Sequence, residues 1–314
     1  MNQASNASPS TFEPPLCFVT CPGASTTDPA THRMAYWSWG DPANLRTVVC
    51  VHGLSRQGRD FDTLARALSN TYHVVCPDVV GRGHSDWLAD PKGYQVFTYA
   101  SDMVMLIQSL RTAKGVQEPL EIDWVGTSMG GLIGLAFSSL PPESSGARLR
   151  RMVLNDVGPK LKPDALARIG EYLGQPKHFP SEQEAVDYLQ SISEGFGPHT
   201  PEQWLALSRP LLRPAVNGDG LILHYDPSIA APFRAMSADA ATSGEAMVWQ
   251  VYDQLTCETL ILRGQDSDLL DADTAREMTG RGPRAKLIEF PGVGHAPTLV
   301  TPDQVAAVEG FLRA

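Results

Sequence analysis

The sequence predicts an α/β protein in which a mostly parallel central sheet carries helices on both faces and a helical cap is inserted into the chain. Three observations lead to this prediction. Short apolar runs, such as 47–51 and 72–76, are typical of strands that are buried on both faces. Segments with helical periodicity, such as 98–110, alternate with these runs. Residues 160–240 contain helical segments but no run that is typical of a buried strand.

The composition allows a large core and argues against two classes of partner. Of the 314 residues, 42% are hydrophobic and 19% are charged, which suits a globular domain with an insertion. The formal net charge is −10 and Lys and Arg do not cluster, so we expect no nucleic-acid partner. No apolar run approaches the roughly 20 residues that cross a bilayer, so we expect no membrane association.

The N-terminus and the cysteines indicate a cytoplasmic protein. Residues 1–15 are polar and rich in proline, with no basic start and no apolar segment, so they predict a flexible tail and not a signal peptide. The five cysteines are odd in number, and three of them lie in or next to predicted core strands. We therefore expect reduced thiols, a cytoplasmic location, and a monomer or homodimer.

The remaining elements follow in order along the chain. Two edge strands are expected at 16–20 and 34–39. Buried strands are expected at 47–51 and 72–76, and further strands at 121–125, 151–154, 259–262 and 285–290. Helices are expected at 61–68, 98–110, 130–140, 273–279 and 302–312. The predicted organisation is a tail (1–15), the first part of the core (16–158), the cap (159–240) and the second part of the core (241–314).

A G-x-S-x-G motif, Gly126 to Gly130, lies between a predicted strand and a predicted helix. On so tight a turn a Cβ at either flanking glycine would clash, and the turn exposes the Ser128 hydroxyl at the helix N-terminus. Ser128 is therefore the candidate nucleophile. Since chance alone can supply so short a motif, the assignment depends on a base, an acid and donors for an oxyanion elsewhere in the chain.

His295 is the candidate base, because it follows the last strand in a Gly-Val-Gly-His loop. The carboxyl ends of parallel strands share one sheet edge, which would bring this loop near Ser128. Three carboxylates could orient the histidine. Asp266 and Asp268 follow the strand at 259–262, and Asp156 follows the strand before it.

Two backbone N–H groups are the candidate oxyanion donors. Met129 begins the helix after Ser128, where N–H groups are free and the helix dipole favours negative charge. Leu54 lies just past the His52-Gly53 pair, where the absence of a side chain lets the loop approach the nucleophile. We expect His52 to brace this loop.

No cofactor or metal is expected. The segment from Asp78 to Ser85 places Gly81 and Gly83 after a strand, but it lacks the G-x-G-x-x-G spacing and the ribose-binding acid of a dinucleotide site. The sequence also contains no H-x-x-H, H-E-x-x-H or C-x-x-C motif. We interpret the glycines as a tight structural loop.

From about Thr31 to the C-terminus, the sequence resembles the α/β-hydrolase fold superfamily. The resemblance rests on five segments taken together: the G-x-S-x-G turn, called the elbow below, the His-Gly loop, the Asp-x-x-Gly-x-Gly-x-Ser loop, the Ser-Asp loop and the terminal Gly-His loop. The resemblance implies a Ser-His-Asp triad of Ser128, His295 and Asp268, because the Ser-Asp-Leu-Leu run is the usual setting of the acid. Ser128 argues against haloalkane dehalogenases and epoxide hydrolases of this superfamily, since these use Asp at the elbow.

The expected function is therefore a serine hydrolase that cleaves a small carboxylic ester or lactone through an acyl-enzyme. One alternative is a C–C bond hydrolase of ring-cleavage products, with the same triad and a cap arginine (Arg209, Arg213 or Arg234) that grips a substrate carboxylate. The other alternative is a non-catalytic ligand-binding homologue. Substrate contacts are expected from the cap, with Trp204 and Phe196 as candidates beside Tyr172 and Leu212.

Overall fold

The computed structural model describes residues 13–24, 30–216, 218–235 and 238–314, and for residues 238–242 it describes the backbone alone. Most of the predicted tail, residues 1–12, lies outside the described residues. Its last part packs on the sheet: Pro14 is buried, and the Ser38 N–H donates to the Pro15 carbonyl at 3.0 Å.

The described residues form an eight-stranded sheet and a separate three-stranded sheet. The strands are β1 (Leu16–Cys21), β2 (His32–Trp39), β3 (Thr47–Val51), β4 (His73–Pro77), β5 (Leu120–Thr127), β6 (Ala147–Asn155), β7 (His178–Phe179), β8 (Leu212–Pro214), β9 (Leu221–Leu223), β10 (Glu258–Gly264) and β11 (Lys286–Phe290). The large sheet has the order β1-β2-β4-β3-β5-β6-β10-β11. Among these strands, β2 runs antiparallel to both of its neighbours, β1 and β4, and the other neighbouring pairs are parallel. The predicted mostly parallel sheet is therefore confirmed.

Helices cover both faces of the large sheet and also occur in the segment between β6 and β10. They are α1 (Asp62–Leu68), α2 (Val96–Ala113), α3 (Met129–Ser138), α4 (Pro142–Ser145), α5 (Pro163–Tyr172), α6 (Glu182–Ser191), α7 (Pro201–Ser208), α8 (Ala230–Ala235), α9 (Ala238–Asp253), α10 (Ala272–Gly280) and α11 (Pro302–Arg313). None of the described helices is both long enough and apolar enough to cross a membrane.

The central strands do not alternate between apolar and polar residues, and β3 shows why. Val49 and Val51 pack into the core layer that contains α2 and α3, while Val48 and Cys50 pack into the opposite layer with α1 and α11. A strand covered on both faces must be apolar at every position. Because β3, β5, β6, β10 and β11 run parallel, their carboxyl ends lie along one edge, where the candidate site is.

The cap contains a small sheet as well as helices. Between β6 and β10, helices α5 to α8 accompany the three-stranded antiparallel sheet β7-β9-β8. The sequence predicted helices only, because strands of two or three residues are too short to show a period. The predicted end of the cap at residue 240 falls inside α9, which packs against α3 of the core.

Candidate active site

Ser128 occupies a strained turn between β5 and α3. Its backbone has φ 52° and ψ −119°, a left-handed conformation that side chains rarely adopt. A Cβ on Gly126 would lie 2.4 Å from the Gly130 carbonyl oxygen, and a Cβ on Gly130 would lie 1.9 Å from the Val51 carbonyl oxygen. Both glycines of the motif are therefore required by backbone contacts, as the sequence predicted.

The side chains of Ser128, His295 and Asp156 form one hydrogen-bonded series. The Nε2 atom of His295 lies 3.0 Å from the Ser128 Oγ, and the Nδ1 atom lies 2.7 Å from the Asp156 Oδ2. When the Nδ1–H donates to the carboxylate, Nε2 is free to accept the serine proton. Asp156 is fully buried, so this contact is shielded from water.

The carboxylate of Asp156 is held by three donors. Besides His295, the Gly264 N–H donates to Oδ1 at 3.0 Å and the Ser267 hydroxyl donates to Oδ2 at 2.6 Å. Asp156 directly follows β6, which lies between the strand that carries Ser128 and β10. These contacts fix the carboxylate and therefore the orientation of the His295 ring.

The expectation that Asp268 contacts His295 is wrong. Both oxygens of Asp268 accept hydrogen bonds from Arg168, at 2.8 and 3.1 Å, and the side chains of the pair are 47% and 43% exposed. Asp266 is also exposed and has no hydrogen bond to His295 in the described structure. Of the three carboxylates considered, the structure brings Asp156 to the histidine.

Leu54 and Met129 present backbone N–H groups that have no hydrogen-bond partner among the described residues. His52 fixes the first of them. Its Nδ1–H donates to the Gly53 carbonyl at 2.7 Å, and its Nε2 accepts from the Val79 N–H at 2.9 Å. Since C=O and N–H point in opposite directions across a trans peptide, holding the Gly53 oxygen sets the direction of the Leu54 N–H. Burial lowers the pKa of His52 to about 3, so the ring is neutral, as both contacts require.

A cavity of about 100 Å³ contains Ser128 and His295. Phe196 of the cap lines it, as expected. Trp204 does not line it: its ring stacks on Phe196, with centroids 6.1 Å apart and planes 3° apart. Trp204 therefore packs behind Phe196 and does not line the cavity, and its predicted contact with substrate stays a prediction. Tyr172 lines the cavity and Leu212 does not.

The cap also contacts the loop that carries His295 on both sides of that residue. The Gly294 N–H donates to the Gly195 carbonyl, and His199 Nε2 lies 2.7 Å from the Thr298 hydroxyl. The cap residues 195–199 therefore hold the loop of the candidate base against the core.

The three predicted cap arginines, Arg209, Arg213 and Arg234, do not line this cavity. The cationic side chains that line it are Arg56, from the loop after β3, and Arg168, from α5. The arginines named for the C–C hydrolase alternative are therefore not at this cavity.

Sequence reasoning missed two polar residues that support the site. The Asn155 side-chain amide donates to the Thr127 hydroxyl at 2.9 Å and to the Pro297 carbonyl at 2.8 Å, which connects the elbow with the histidine loop. Ser267 supports Asp156. The adjacent polar pair Asn155-Asp156, directly after an apolar strand, was a usable signal.

The described residues contain one group of three possible metal ligands, Cys21, His32 and Asp102, whose ligand atoms lie within 4.8 Å of one another. The group is buried away from the cavity, and His32 Nε2 bonds directly to Asp102 at 2.9 Å. Burial, and then the neighbouring carboxylate, raise the pKa of the Cys21 thiol. These contacts indicate a hydrogen-bonded cluster of the core.

Comparison with known proteins identifies the fold and the reaction class. A model of the alpha/beta hydrolase family matches residues 48–308. The 3-hydroxybutyrate-oligomer hydrolase of Cupriavidus necator is 50% identical over 300 residues, which cover 95% of this chain and 97% of that protein. The predictions of this fold and of an ester hydrolase are confirmed.

Solved structures agree with this fold. The crystal structure of an alpha/beta hydrolase from Novosphingobium aromaticivorans has a TM-score of 0.78 at 32% identity, and the match covers 96% of this chain and 98% of that one. E-2-(acetamidomethylene)succinate hydrolase shares the fold at 20% identity, with a TM-score of 0.73 and coverage of 95% and 100%.

Proposed function

This chain belongs to the alpha/beta hydrolase family, and we propose that it hydrolyses the ester bonds of short 3-hydroxybutyrate oligomers. It is an ester hydrolase. The substrate is supported by the relative of that name, which is 50% identical over nearly the whole length of both chains. Such an oligomer is a chain of small carboxylic esters, which is the substrate class that the sequence predicts.

In the proposed mechanism, Ser128 attacks the ester carbonyl while His295 takes its proton, and Asp156 orients the ring and stabilises the imidazolium. The N–H groups of Leu54 and Met129 stabilise the oxyanion. His295 then protonates the leaving alcohol and activates water, which releases the acyl group from the serine. The observation that carries this mechanism is the hydrogen-bonded series of hydroxyl, imidazole and buried carboxylate at the cavity.

The segment 159–240 acts in this proposal as a cap that sets acyl and alcohol specificity, and Phe196 contacts the substrate. The lining of the cavity by Phe196 and by Tyr172 of α5 supports this role. Phe196→Ala should change the preference among esters of graded acyl length. An unchanged preference would contradict the contact.

A reducing, cytoplasmic location is supported by five free cysteines, four of which are buried. Protein isolated from cells under denaturing conditions with a trapping reagent should contain five thiols. Sedimentation should find a monomer or a homodimer, and a larger assembly would contradict that part of the proposal.

Release of 3-hydroxybutyrate from its dimer and trimer tests the proposed function. The wild type should hydrolyse both oligomers and react with a fluorophosphonate. Ser128→Ala should lose both activities and His295→Ala should lose turnover, whereas Ser139→Ala, an exposed hydroxyl near the end of the same helix region, should keep both. Labelling of Ser128→Ala would refute the nucleophile, and a wild type that cleaves other esters but neither oligomer would refute the substrate.

A further inference from the structure

Arg168 lies where two cavities meet. It lines the inner cavity with Ser128, and it also lines an outer cavity of about 560 Å³. Tyr172, Ile192 and His295 line both cavities as well, so these side chains form the boundary that the two cavities share. A molecule that extends from Ser128 into the outer cavity therefore passes the guanidinium of Arg168.

The size of the inner cavity requires a substrate of two units to extend in this way. A cavity of about 150 Å³ holds one benzene ring, which has six heavy atoms. The inner cavity, of about 100 Å³, is smaller than this and therefore holds no more than about one hydroxybutyryl unit, which also has six heavy atoms. With the acyl unit of a dimer next to Ser128, the leaving unit lies beside Arg168. That unit carries the free carboxylate of the oligomer.

Arg56, the other arginine of the inner cavity, already forms hydrogen bonds within the protein. Its Nε and Nη2 donate to Asp60, both at 2.7 Å, and Nη2 also donates to the Leu207 carbonyl at 3.1 Å. The two charged side chains are only 13% and 19% exposed. Separating a largely buried pair leaves an uncompensated charge, so Arg56 is a poor acceptor of a new anion.

The pair of Arg168 with Asp268 has the opposite character. Its two hydrogen bonds, at 2.8 and 3.1 Å, join side chains that are nearly half exposed. Exposed pairs of this kind contribute little to stability, so a second carboxylate can replace Asp268 at small cost. The planar guanidinium would hold that carboxylate through the same two parallel hydrogen bonds.

Building on the proposed function, we infer that Arg168 binds the terminal carboxylate of the oligomer, and that this carboxylate displaces Asp268, which pairs with Arg168 in the free enzyme. Arg168 thereby selects substrates that end in a free acid, and Asp268 competes with them. The bond that is broken lies one unit from the bound carboxylate, so the enzyme releases 3-hydroxybutyrate from the acid end of the chain.

The test compares the 3-hydroxybutyrate dimer with its neutral carboxamide, by kcat and KM for release of the terminal unit. The wild type should prefer the acid at least about tenfold in kcat/KM. Arg168→Gln should reduce the preference to about one, mainly through KM for the acid, and Arg168→Lys should keep part of it. Asp268→Asn should increase the preference, because the competing carboxylate is gone.

Arg209→Gln is the matched control. Arg209 also forms an exposed pair, with Glu182 at 2.8 Å, but it lines neither cavity, so this variant should keep the wild-type preference. A wild-type preference in Arg168→Gln, or a reduced one in Asp268→Asn, would overturn the inference and leave the proposed function standing. A wild type that cleaves neither dimer would overturn both.

Discussion

The substitution Asp156→Asn keeps the shape of the side chain but turns one acceptor of hydrogen bonds into a donor. In the wild type, Oδ2 accepts from His295 and from Ser267, and Oδ1 accepts from Gly264. If the new NH₂ group takes the position of Oδ1, it faces the Gly264 N–H. If it takes the position of Oδ2, it faces His295. In either position, a donor meets a donor.

The structure indicates which conflict is relieved. The Gly264 N–H is fixed in β10, and a buried donor without an acceptor costs about 1–3 kcal/mol. His295 can instead change its tautomer, so that Nδ1 accepts and Nε2 carries the proton. Nε2 then faces Ser128 as a donor and cannot accept its proton. A comparable change in a Ser-His-Asp enzyme lowers kcat about 10⁴-fold, which equals about 5.4 kcal/mol of lost transition-state stabilisation.

We therefore expect Asp156→Asn to lower kcat about 10⁴-fold and the free energy of unfolding by at most about 3 kcal/mol. The assay is hydrolysis of p-nitrophenyl butyrate by the folded variant, with a thermal melt to show that the protein is intact. Asp268→Asn is the matched carboxylate variant, and its kcat should fall by less than about tenfold, because Asp268 contacts Arg168 and not His295. A kcat of Asp156→Asn within tenfold of the wild type, or a 10³-fold loss in Asp268→Asn, would refute this reasoning.

Two predictions concern stability. Gly130→Ala would place a Cβ 1.9 Å from the Val51 carbonyl oxygen and should lower the free energy of unfolding by about 3 kcal/mol in urea titrations. Gly310→Ala meets no atom within 4 Å and should raise it by up to about 1 kcal/mol; equal effects would contradict the steric argument. Burial, and then Lys114, lower the pKa of His73 from 6.5 to about 4, so the unfolded chain binds the proton more tightly and stability is lost as the pH falls below about 6.5. Between pH 8 and pH 5, the free energy of unfolding of His73→Gln should therefore fall by about 2 kcal/mol less than that of the wild type. Equal decreases would be evidence against a lowered pKa of His73.

The sequence predicted the parts of the site that depend on local constraints. A serine between two glycines after a buried strand has few conformations available, and Ser128 lies where the motif indicates. His295 follows the last strand of a parallel sheet, so the sheet alone brings it to the same edge. Both positions follow from the order of strands and from steric limits on the backbone.

The identity of the acid could not be obtained in this way. Asp156 and Asp268 both follow strands, and β6 and β10 are neighbours in the sheet. The choice between them depends on the direction of each side chain in its loop. Asp268 points to Arg168, which lies 100 positions away in the cap, and a pattern of residues along the chain does not report such a contact.

The structure of the cap could not be predicted from the sequence for a related reason. Its strands have two or three residues, which is less than one full alternation of a strand pattern. Phe196 and Trp204 were both candidates for substrate contact because they lie in the cap, but their rings stack on one another, with centroids 6.1 Å apart. Which ring faces the cavity is decided by tertiary packing.

The contacts of the cap with the loop of His295 have a kinetic consequence. The Gly195 carbonyl and His199 hold Gly294 and Thr298, on either side of the candidate base, so a displacement of these cap residues would remove support from His295. Entry of the substrate and alignment of the His295 imidazole would then depend on the same movement of the cap. If residues 195–199 move away to admit substrate, His295 would be poorly aligned for attack, and the step that closes the cap again would set an upper limit on kcat.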